Sequence, residues 1–77
     1  MPPEEAIKQL DLIIADNADF EEAYILRGQK YWSLNQRRQA LNDYHSALKI
    51  NPTSKARMYL EYANSILDFY NKDLLNP

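Results

Sequence analysis

The backbone of this 77-residue chain carries a single glycine, Gly28, and its four prolines fall at positions 2, 3, 52 and 77. A sheet protein of this size needs a turn every few residues, and turns draw on glycine and proline. With so little punctuation the chain has room for a few long helices and very little else. Length then sets a second bound. At this size only about 60% of the surface of the unfolded chain is buried on folding, so one small core must suffice. Apolar residues make up 45% of the chain and charged residues 26%, a globular balance and not a disordered one.

Four helices follow from the periodicity and the breaks, predicted at 3–15, 20–34, 37–50 and 54–70. In the first, Ala6, Leu10, Ile13 and Ile14 recur at helical spacing behind Pro2-Pro3 and Glu4-Glu5, residues suited to a first turn and to the positive end of the dipole. Asp16-Asn17-Ala18-Asp19 interrupts it. In the second, Asp19 and Glu22 have capping-box spacing, Tyr24, Gly28 and Tyr31 form one stripe, and Asn35 suits a left-handed terminator. The third carries Ala40, Leu41, Tyr44, Ala47 and Leu48, and Asn51-Pro52 stops it because proline disfavours a helical residue before it. Thr53 or Ser54 can cap the fourth, and the tail 71–77 is expected to fray. Connections of about two to four residues force consecutive helices to run antiparallel. The predicted fold is therefore all-α, a stack of helical hairpins in one domain over residues 1–77.

Self-similarity sharpens this picture. Set residues 21–54 in a 34-residue frame, and Tyr24, Gly28, Tyr31, Ala40, Tyr44, Ala47 and Pro52 occupy places four, eight, eleven, twenty, twenty-four, twenty-seven and thirty-two. The window resembles a complete tetratricopeptide repeat. It departs from the family's commoner residues at place four, Tyr in place of Trp, and at place seven, Arg27 in place of Leu. Residues 5–20 resemble the second helix of a preceding repeat, with Ala6, Leu10 and Ile13 at places twenty, twenty-four and twenty-seven. Residues 55–70 resemble a terminal capping helix, with Met58, Glu61, Tyr62 and Ser65 at places four, seven, eight and eleven. The physics runs the same way. Gly28 inside a helix costs about 1 kcal/mol against alanine. Close approach compensates, with Gly28, Ala40 and Ala47 small where helices cross and Tyr24, Tyr31 and Tyr44 filling the space around them.

Catalytic chemistry finds little to work with. The chain has no cysteine, which excludes disulfides, thiol catalysis and sulfur-bound metal, and fits a reducing compartment. Its one histidine, His45, has Asp43 two residues away, on a different helical face, so a solvated His45 is expected. Glu4, Glu5, Asp11, Asp16, Asp19, Glu21 and Glu22 crowd helix starts and loops, where dipole and capping roles account for most of them. No phosphate loop or metal-ligand motif is present. The expectation is no enzyme, no catalytic residue, no metal and no cofactor. A formal charge of −2 and a single basic pair, Arg37-Arg38, argue against nucleic acid. An acidic N-terminus and the absence of a run near 20 apolar residues argue against a secretory signal and a membrane span, and so for a cytoplasmic protein.

A partner surface is the remaining expectation. The resemblance implies a concave groove lined by the first helix of each repeat, here Ile25, Gln29 and Trp32, facing Tyr59, Ala63 and Ile66 with Tyr70 one turn on. Tryptophan and tyrosine are favoured at interface hot spots. Trp32 has two readings, exposed in the groove or packed against a neighbouring helix. The lysine, asparagine and arginine with which some family members clamp a partner's terminal carboxylate are missing, because Glu22, Ile25, Leu26, Gln29, Ala56 and Leu60 stand at those places. The rival to an adaptor that binds another protein or peptide is a homodimer. Met58, Tyr59, Leu60, Tyr62, Ala63, Ile66, Leu67, Phe69 and Tyr70 cover more of the fourth helix than one buried face requires. Its own Leu74-Leu75 or a second copy of the chain could cover the surplus, and Ala6 and Ile13 pose the same question on the first helix.

Overall fold

A computed structural model gives four helices: α1 (Pro3–Asp16), α2 (Glu21–Ser33), α3 (Arg37–Ile50) and α4 (Ala56–Leu75). It describes the backbone of residues 1–75 and the side chains of residues 1–66. There is no strand among the described residues, and the chain is all-α. Each helix packs on the next in order, α1 on α2, α2 on α3 and α3 on α4. Neighbours run antiparallel. The Asn51 amide just past the end of α3 donates to the Glu21 carboxylate at the start of α2, at 3.1 Å, while Gly28 and Tyr44 meet at mid-helix.

The connections show why the helices stop where they do. Pro3 opens α1 at a position where its missing N–H is no loss. At the end of α2, Asn35 takes φ 65°, and the Asn35 and Gln36 amides donate back to the Trp32 and Tyr31 carbonyls at 3.0 and 2.9 Å. This is a Schellman closure, with asparagine where glycine is commoner. Alanine at position 35 cannot relieve the left-handed strain through a local side-chain bond. Asn35→Ala is therefore expected to lose about 1–2 kcal/mol in a denaturant titration, and Asn35→Gly to stay near wild type. Between α3 and α4, Asn51 is extended ahead of Pro52. Its side-chain oxygen accepts from the Thr53 amide and hydroxyl. Ser54, and not Thr53, caps α4, its hydroxyl accepting from the Ala56 amide at 3.1 Å.

Three expectations need correction. The Asp19–Glu22 capping box does not form. Phe20 precedes α2 without a side-chain cap, and Glu22 is instead drawn to Lys55 at 3.1 Å across the face of the stack. The tail does not end the fourth helix at Tyr70. α4 runs to Leu75, since the sequence offers no stop before Asn76-Pro77. On α1 the buried pair is Ile7 and Leu10, whereas Ile13 is exposed and Ala6 half-buried. Only the stripe through 7 and 10 faces α2. The side that a preceding helix would cover is bare, with Leu12 at 71% exposure.

The core is one cluster, Ile25, Ala40, Tyr44, Ala47, Ala56 and Leu60, with Tyr24, Tyr31, Trp32, Leu41, Leu48 and Tyr59 packed around it. Ala40 and Ala47, one turn to either side of Tyr44, are fully buried and let α3 approach its neighbours. Gly28 is required by contact. A Cβ there would lie 2.6 Å from Tyr44 Cε1, well inside van der Waals range. A second lock holds the three N-terminal helices. Arg27 donates from Nε and Nη2 to the two oxygens of buried Asp43 at 2.9 and 2.7 Å, and from Nη1 to Asp11 at 2.8 Å. Its guanidinium lies within 6 Å of the Tyr24 and Tyr31 ring centres. The carboxylates, Asp43 foremost, hold that guanidinium charged even more firmly than usual.

Candidate functional site

The site is a hollow of about 390 Å³ between α2 and α4, with α3 beneath it. Gln29 and Trp32 form one wall, Met58, Tyr59 and Tyr62 the other, and Tyr44 the floor. The wall residues are one turn apart on each helix, Gln29 to Trp32 and Met58 to Tyr62, so each pair presents a single face. The lining is nearly all apolar and contains four aromatic rings and one amide. Its volume lies near the small end of the range for ligand pockets, about 300–1,000 Å³.

The floor is set by a stack of contacts through three helices. The Tyr44 ring meets Gly28 of α2 along one edge and stacks with Tyr59 of α4, ring centres 5.4 Å apart and 18° from parallel. Because position 28 has no Cβ, the Tyr44 ring can sink between α2 and α4, leaving the space above it open. Burial, with the Tyr59 and Asp43 charges nearby, pushes the Tyr44 phenol up to about 12 from 10. A folded-state value above the unfolded one means stability that is whole below pH 10 and lost as pH rises toward 12. Alkaline unfolding of Tyr44→Phe should lack that component, which a comparison of the two chains by circular dichroism would reveal.

The ends of the hollow differ in charge. Toward the starts of α2 and α4 the Glu22–Lys55 pair neutralises itself, and hydrogen bonds from Ser54 and Asn51 hold the Glu21 carboxyl below its usual range. Toward the end of α2 the Arg37 guanidinium lies over the Trp32 ring, 5.1 Å from its centre, with no carboxylate in ion-pair distance among the described residues. Arg37 thus acts at the α2–α3 corner, through an aromatic contact that the sequence pattern does not show.

Of the residues expected to line a groove, Gln29, Trp32 and Tyr59 come together. Ile25 and Ala63 do not, each being 1% exposed and part of the packed interior. Ile66 is half-buried and lies outside the lining. The reason is the rotation of α4. Ala56, Leu60 and Ala63 make its buried stripe, which turns Met58 and Tyr62, 62% and 63% exposed, toward the hollow. These two belonged to the surplus apolar set assigned to a covering tail or second copy. Leu67, Phe69, Tyr70, Leu74 and Leu75 lie outside the residues whose side chains are described. His45 is exposed, and Asp43 turns to Arg27. Among the described residues no cluster of His, Cys, Asp and Glu could hold a metal ion, and no helix is long and apolar enough to cross a membrane. No protein-family model, curated protein or solved structure matches this chain.

Proposed function

We propose that this chain is a tetratricopeptide-type interaction module, an adaptor or scaffold that holds a segment of another protein in the hollow between α2 and α4 and carries out no chemistry of its own. One observation carries the reading. Met58 and Tyr62 stand exposed, and Trp32 and Tyr59 half-buried, around an apolar floor, and such aromatic anchors dominate binding energy at protein interfaces. The order and antiparallel run of the helices support the family reading, as does the Gly28–Tyr44 contact, which joins places eight and twenty-four of the repeat frame. In this reading the protein works in the cytoplasm with a polypeptide partner, without nucleic acid, membrane or cofactor. Trp32→Ala and Tyr59→Ala should each weaken partner binding by about 2 kcal/mol or more, roughly thirtyfold in affinity. Titration calorimetry of either variant against a captured partner checks this, and unchanged affinity with helix content preserved removes the groove.

A second reading has its own observation. Leu12 and Ile13 on α1, with Phe20 in the following loop, are exposed apolar residues on a helix that packs on one side only. A homodimer through this face would bury them. Sedimentation at several concentrations decides it. A mass near 9.1 kDa at every concentration removes the dimer.

A further inference from the structure

Resting on the groove reading above, we infer that the occupant of the hollow is an acidic short segment, one bulky apolar side chain seated on Tyr44 and an Asp or Glu beside it meeting Arg37. Size gives the first half. Gln29 and Trp32 are separated by about 4.5 Å along their helix, and the hollow holds about 390 Å³. That space takes a bulky apolar side chain with room for part of the segment beside it. The Gln29 amide, able to donate and to accept, stands in the wall to meet the segment's backbone.

Charge gives the second half. The Lys55 end of the hollow is already neutralised by Glu22. At the Trp32 end Arg37 has no carboxylate among the described residues. Its guanidinium lies over an aromatic face, a contact that holds in place a planar group carrying N–H donors around its edge. Arg38 follows it, and the first turn of α3 has no acidic residue, whereas α1 and α2 each begin with two. An anchored segment therefore meets, among the described residues, a cation without a carboxylate at this end, and a planar guanidinium suits a carboxylate in a two-bond geometry. The formal charge of the chain, −2, gives no general attraction for acidic partners, so the preference is local.

The test is selection of phage-displayed random peptides on the intact chain, followed by affinity measurement of the winners against wild type, Arg37→Gln, Arg37→Glu and Trp32→Ala. Glutamate at the first position of α3 suits the helix dipole, so Arg37→Glu should fold. The expected winners carry a bulky apolar residue with Asp or Glu within one turn or two extended steps. They should lose about tenfold in affinity with Arg37→Gln, more with Arg37→Glu, and nearly all binding with Trp32→Ala. Winners that need Trp32 but show no acidic enrichment and ignore both Arg37 changes overturn this inference and leave the groove reading standing. Winners indifferent to Trp32→Ala, or no winners at all, overturn both. So does self-association abolished by Trp32→Ala, which would make a second copy the occupant.

Discussion

Arg27→Met is expected to destabilise the chain by about 3–5 kcal/mol, the range for leaving a buried charge without its partner. The partner left behind is Asp43, whose side chain is 5% exposed and receives two of Arg27's hydrogen bonds. A 77-residue domain holds about 4–12 kcal/mol in all, so this one change brings it close to unfolding. The melting temperature should fall by about 4–8 °C for each kcal/mol. The other arm of the bridge matters far less. Asp11 is half exposed, and an exposed ion pair contributes at most about 1 kcal/mol, so Asp11→Ala should cost under 1 kcal/mol. Removing both buried charges, as Arg27→Met with Asp43→Leu, should recover most of the loss, because an apolar pair of similar volume replaces a buried ion pair at little cost. Denaturant titrations of these variants measure each effect. A single Arg27→Met variant as stable as wild type would show that Asp43 is solvated and that the three-helix bridge holds nothing together.

Tyr44→Ala comes second, at about 3–5 kcal/mol, the range for emptying a buried aromatic site. It removes the floor of the hollow and the ring on which Tyr59 stacks, so a variant that still folds should also lose partner binding. Gly28 reports on the same contact from the other side. Gly28→Ala gains about 1 kcal/mol in helix propensity and loses about 1–3 kcal/mol in overpacking against the Tyr44 ring. Tyr44 cannot swing aside freely, since its ring is buried and stacked with Tyr59. In wild type the net effect of Gly28→Ala is a loss. In the Tyr44→Ala background the clash is gone and the sign should reverse, toward a gain of about 1 kcal/mol. That reversal is a coupling between positions 28 and 44 that a double-mutant cycle reads directly.

The helices were legible because their boundaries rest on local chemistry. Asn35, Asn51-Pro52 and Ser54 each act within a few residues of themselves, and each acts where the pattern placed it. The Gly28–Tyr44 contact was legible too, because a glycine in mid-helix is costly without a close neighbour. The Arg27 bridge was not. Arg27 reads as a harmless departure at one repeat place, and Asp43 only as a residue turned away from His45. A usable signal did exist. Asp11, Arg27 and Asp43 are spaced sixteen residues apart, close to the length of one helix with its loop, so antiparallel stacking brings them to one level. The groove was half legible. Gln29, Trp32 and Tyr59 stand at places where the repeat resemblance implies a groove, but Met58 and Tyr62 depend on how far α4 is turned. That turn is set by Ala56, Leu60 and Ala63 packing into the interior, a fact of tertiary fit that no periodicity within α4 contains.

The groove itself can be watched through its only tryptophan. In a proton–nitrogen correlation spectrum Trp32 gives a single indole signal. When a bound protein segment is titrated in, that signal and the backbone amides of Gln29, Met58, Tyr59 and Tyr62 should move together. A segment that binds while these stay still, and that shifts Leu12, Ile13 or Leu26 instead, would contradict the account.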